Sequence, residues 1–146
     1  MEENNWTNEN FRQTNQKYLD EFVEWMKEQG LSEKTIHRHL SNTRFYINEY
    51  LGNRNQVSME FGTNYISEYF SYFFIDKCMW STPNSLKENV ASLKKFYRCM
   101  TENGHIDEED YEYMLYTIKM EKEEWIDRCG RYNDADYEWS GNDWFI

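Results

Sequence analysis

Along most of this chain apolar residues recur at spacings of three and four, and each run is bounded by residues that start or stop helices. Tyr18, Leu19, Phe22, Val23 and Met26 predict a helix from Thr14 or Asn15 to Gln29, with Gly30 as its stop and Trp6 and Phe11 available to dock from a frayed N-terminus. The second run opens at Leu31-Ser32-Glu33-Lys34-Thr35-Ile36, where Ser32 can cap the free amides and Leu31 can staple back onto Ile36. Ile36, Leu40, Thr43, Ile47, Tyr50 and Leu51 share one face of it, and Gly52 is expected to end it.

After a polar loop from Asn53 to Ser58, the stretch Asn64 to Met79 carries Tyr65, Ile66, Tyr69, Phe70, Phe73 and Phe74, and Tyr72 widens this apolar surface further. A helix so apolar around its circumference is expected to be central and buried on most sides. Thr82-Pro83, a capping hydroxyl before a residue of fixed φ, opens a fourth helix whose inward stripe is Leu86, Val90, Leu93, Tyr97 and Met100 and whose stop is Gly104. A fifth begins at Asp107, with Glu108, Glu109 and Asp110 in its first turn, and is expected to end at Gly130. The pattern predicts an all-α protein: a compact bundle of about five helices in one domain over residues 1–130, then an acidic-aromatic tail over 131–146.

The polar faces narrow the picture. Lys34, His37, Arg38, Ser41, Arg44 and Asn48 lie away from the apolar stripe of the second helix; Lys87, Ala91, Lys94 and Arg98 do so on the fourth, with Lys95 beside them. Residues 31–104 hold nine Lys or Arg against seven Asp or Glu, net +2. The flanks hold three against seven and four against thirteen, net −4 and −9, which makes the whole chain −11. The acidity sits at the ends and the basic side chains face outward from two helices.

Leu31-Ser32-Glu33-Lys34-Thr35-Ile36, followed by Ser85-Leu86-Lys87-Glu88-Asn89-Val90-Ala91-Ser92-Leu93-Lys94-Lys95-Phe96-Tyr97 and Asn103-Gly104-His105-Ile106, resembles the N-terminal core-binding (SAM-like) domain of tyrosine recombinases, the phage-integrase family. The likeness covers residues 14–106. It implies that the helices matching Ser32–Leu51 and Pro83–Asn103 lie against duplex DNA, with Lys34, His37, Arg38, Ser41, Arg44, Lys87, Lys94, Lys95 and Arg98 as the contacts. That family continues into a catalytic domain with an arginine–histidine–arginine set and a nucleophilic tyrosine. Here about forty residues follow Gly104, and no His-x-x-Arg occurs. The resemblance therefore implies a non-catalytic module, accessory to or regulating DNA recombination or integration.

A second class of function stays open: a protein-interaction module on the same scaffold, with Tyr69, Tyr72, Trp139, Trp144 and Phe145 as contacts to a partner such as a recombinase or to a second copy. The tail interleaves Asp134, Asp136, Glu138 and Asp143 with Tyr132, Tyr137, Trp139, Trp144 and Phe145, so it can pack on its own domain, cover the basic faces or recruit a partner. Trp25 falls beside its helix's inward stripe, as core rim or partner contact.

Chemistry adds little. Cys78, Cys99 and Cys129 have no zinc-type spacing and read as free thiols, and His39 and His105 belong to no recognisable constellation. No acid–base pair, metal cluster or phosphate loop marks an enzyme, and no cofactor or small-molecule substrate is implied. Aromatics at 18% with one proline argue for ring packing rather than disorder, although mean hydropathy is −1.03. With neither a spanning stretch nor a signal peptide in view, a cytoplasmic protein is expected.

Overall fold

The computed structural model describes the backbone of residues 8–77 and 81–140 and the side chains of residues 10–76 and 81–131. Helix α1 spans Asn8–Glu28, α2 Glu33–Arg44, α3 Ile66–Glu68, α4 Phe74–Lys77, α5 Pro83–Glu102 and α6 Glu108–Ser140. No strand occurs among the described residues, and the protein is an all-α bundle. No helix among them is long and apolar enough to cross a membrane.

The local signals at the helix starts act as their chemistry requires. Ser32 Oγ accepts the Thr35 amide at 3.3 Å. Thr82 and Ser85 cap reciprocally: the Ser85 amide donates to Thr82 Oγ1 at 3.0 Å and the Thr82 amide to Ser85 Oγ at 2.8 Å. The ends of α1 and α5 also match, with Gly30 at φ 84° and Gly104 at φ 85°. Each next amide then reaches back five residues, Leu31 to Met26 O at 3.2 Å and His105 to Met100 O at 2.8 Å, which closes the last turn.

Three boundaries differ from expectation. Helix α1 begins at Asn8, not near Thr14, and its Phe11 is buried. Gly52 does not stop the second helix, because α2 runs on as a π-helical segment, Phe45–Arg54, and turns only at Gln56, φ 54°. The Phe11 ring lies where a Cβ on Gly52 would stand, so this glycine makes room for α1 to approach. The i→i+5 register also rotates Asn48 off the polar face. It is buried and accepts from Asn15 Nδ2 at 2.8 Å. Finally, Gly130 does not end α6, which continues to Ser140; its φ is not left-handed, so nothing there breaks the helix. The first ten residues assigned to the tail therefore belong to α6.

The aromatic stretch is a rod over residues 66–77 in which a π-helical turn, Tyr69–Phe73, joins α3 to α4, preceded by a 3-10 turn, Met59–Asn64. It occupies the core as expected. Tyr46, Tyr50, Tyr69, Phe70, Phe74, Phe96, Tyr97 and Trp125 are all fully buried. Most of these rings meet edge-on or tilted, Tyr46–Tyr69 at 4.7 Å between centroids and Phe70–Trp125 at 5.1 Å, while Tyr46 and Tyr50 stack at 5.6 Å. Two buried hydroxyls pin the 3-10 turn: Tyr46 Oη donates to Gly62 O at 2.7 Å and Tyr97 Oη to Met59 O at 2.8 Å.

Candidate nucleic-acid interface

The two basic helices pack against each other. Arg38 Nε stands 3.9 Å from Glu88 Oε1, and His39 Nδ1 lies 2.7 Å from Ser92 Oγ. Leu31, just before α2, instead borders a cleft with Lys94, Lys95 and Arg98. Helices α2 and α5 therefore run antiparallel, with Arg44 at the same end as Lys87 and Lys34 at the same end as Lys94 to Arg98.

Lys34, His37, Arg38, Ser41, Arg44, Lys87, Lys94 and Arg98 are exposed and Lys95 is half-buried. Arg38 is held by Glu88, and Arg98 Nε lies 3.1 Å from Glu102 Oε2. Lys34, Arg44, Lys87, Lys94 and Lys95 have no ion-pair partner among the described residues. Five cations thus remain open to an external anion.

The seam beneath them is polar, which composition did not reveal. Ser92 Oγ donates to Glu88 O at 3.0 Å and accepts from Asn42 Nδ2 at 3.0 Å. His39 Nδ1 completes this knot of polar groups, 2.7 Å from the same hydroxyl. His39 is buried, and burial, followed by the nearby Lys95 and Arg38, holds its pKa below the usual histidine value while Glu88 opposes this weakly. His105 likewise ties elements together, with Nε2 3.0 Å from Glu21 Oε1.

At the α1 end of this face lies an open cleft of about 360 Å³, lined by Trp25, Gln29, Leu31, Ala91, Lys94, Lys95, Arg98 and Tyr111. Glu102 organises one wall, accepting from Trp25 Nε1 at 2.8 Å and from Arg98. These two bonds, Trp25's first, hold its carboxyl below the ordinary value. Trp25 is thus both core rim and cleft wall.

Of the residues expected to touch a protein partner, Tyr69 is fully buried among rings of the core and presents no surface. Tyr72 is 58% exposed, with the Arg128 guanidinium 5.7 Å above its ring. The side chains of Trp139, Trp144 and Phe145, like Trp6 and Cys78, lie outside the described residues. Sequence reading missed Tyr113, Tyr116 and Met120, exposed on α6 at i, i+3 and i+7. Their spacing was visible, but Met114, Ile118 and Trp125 form a second stripe with similar spacing, and packing alone shows which is buried.

Cys99 and Cys129 are buried thiols outside any disulfide. Burial first, then the carboxylates Glu21, Glu102 and Glu28, pushes the Cys99 thiol up to about 12, and burial also raises Cys129. Neither is a nucleophile at neutral pH. Among the described residues no cluster of three or more His, Cys, Asp or Glu is placed to hold a metal. Comparison with family models, with curated proteins and with solved structures finds no match, so the likeness to the recombinase core-binding domain rests on the motifs quoted from the sequence.

Proposed function

We propose that the α2–α5 face binds duplex DNA weakly and without catalysis, in the manner of a recombinase core-binding domain, and that the protein is a cytoplasmic accessory to or regulator of recombination. The observation that carries this reading is the antiparallel packing of α2 on α5, which sets two basic helix faces side by side with five cations that have no ion-pair partner among the described residues. Phosphate contacts of this kind fix orientation without reading bases. The net charge of −11 opposes approach at long range, so binding is weak, and the phosphate contacts themselves weaken as salt rises.

The test is a fluorescence-anisotropy titration of labelled duplex at several salt concentrations, comparing the full chain with the variant Arg38→Ala/Arg44→Ala/Lys94→Ala/Arg98→Ala. Affinity should fall steeply with salt, and the variant should lose both affinity and slope, about 0.9 in the log–log salt slope for each phosphate contact removed. Equal affinity in the variant overturns the reading. A second reading, a protein-interaction module, is favoured by the exposed stripe Tyr113, Tyr116 and Met120. A chain that is strictly monomeric in light scattering and captures no partner argues against that alternative.

A further inference from the structure

We infer that the cleft between α1, α5 and α6 receives the C-terminal acidic-aromatic segment, residues 132–146, of a second copy of this chain. The cleft joins three cations, Lys94, Lys95 and Arg98, to apolar walls from Trp25, Leu31 and Tyr111. Lys94 and Lys95 have no ion-pair partner among the described residues. A ligand that satisfies both features offers carboxylates next to an aromatic anchor. The segment Tyr132-Asn133-Asp134-Ala135-Asp136-Tyr137-Glu138-Trp139-Ser140-Gly141-Asn142-Asp143-Trp144-Phe145 repeats that combination. At about 360 Å³ the cleft lies near the lower end of the roughly 300–1,000 Å³ range of ligand pockets, enough for an aromatic side chain with a carboxylate beside it.

Helix geometry decides between the chain's own segment and a neighbour's. Tyr111 lines the cleft in the first turn of α6, and the helix carries the chain away from it as far as Ser140. At 1.5 Å per residue that is about 44 Å along the axis. Residues 141–146, fully extended, span at most about 20 Å. While α6 stays helical the segment cannot return to its own cleft, so the contact is made in trans. Each copy then has one cleft and one donor segment, an arrangement that closes as a reciprocal dimer or continues head to tail. The contact is small, so the association is weak and concentration-dependent.

This inference does not depend on the DNA reading, although both use Lys94, Lys95 and Arg98. Sedimentation velocity of the full chain over a concentration series should show association that weakens as salt rises. The cleft variant Lys94→Ala/Lys95→Ala/Arg98→Ala and the segment variant Trp139→Ala/Trp144→Ala/Phe145→Ala should each lose it. An equal mixture of the two should recover a dimer, held by the one intact cleft and the one intact segment. A wild-type chain that stays monomeric, variants that associate unchanged, or a mixture that stays monomeric would each overturn the assignment. The segment variant retains every cation of the α2–α5 face, so its DNA titration separates failure of this contact from failure of DNA binding.

Discussion

The 3-10 turn is held in place by single atoms. A Cβ on Gly62 would overlap the Tyr97 hydroxyl and stand 2.9 Å from Leu51 Cδ1, and Tyr97 is fully buried with its hydroxyl already committed to Met59 O. Gly62→Ala should therefore cost about 1–3 kcal/mol through overpacking, read as a lower urea midpoint. Tyr97→Phe should cost about 1 kcal/mol, because a buried hydrogen bond to Met59 O is lost. His39 carries the clearest pH effect. Its folded pKa lies below the ordinary 6.5, so below that value the unfolded chain binds more protons and stability falls as pH drops from 7 toward 5. His39→Gln, which cannot titrate, should flatten that part of the stability–pH curve. A curve that keeps its full slope would remove His39 as the cause.

At the scale of elements, starts were easier to read than stops. Ser32 and Thr82 cap α2 and α5 through atoms three residues away, a relation contained in the local sequence. Glycine is ambiguous because it serves different needs. Gly30 and Gly104 adopt positive φ and end helices, Gly52 admits the Phe11 ring, and Gly130 sits inside α6. A Cβ on Gly130 would meet only Pro83 Cγ at 3.9 Å, an ordinary contact. Gly130→Ala should thus stabilise the protein by about 0.5–1 kcal/mol, since alanine loses less backbone entropy in a helix. A raised melting temperature would support the continuous α6, and a lowered one would place a left-handed stop there. The π-helical segments were not legible either: Asn48 reads as polar surface at a 3.6-residue period and becomes a buried partner of Asn15 once the register widens.

For the whole molecule, charge and shape act together. The cations on α2 and α5 form one face only because the helices pack antiparallel across the His39–Ser92 seam. The overall charge of −11 works against any phosphate contact at that face, and rising salt weakens such contacts further. By itself the sequence determined the all-helical class, the starts of α2, α5 and α6, the positive-φ stops at Gly30 and Gly104, most of each buried stripe and which side chains are basic and outward, because all of these depend on interactions within a few residues. The tertiary structure alone decided that Tyr69 is buried while Tyr72, Tyr113 and Tyr116 are exposed, that Gly52 is a point of close approach, that His39 belongs to a buried seam, and that Trp25, Lys94, Arg98 and Tyr111 line one cleft. Those outcomes depend on which helix covers which face, and the burial of apolar surface settles that only when the whole chain packs.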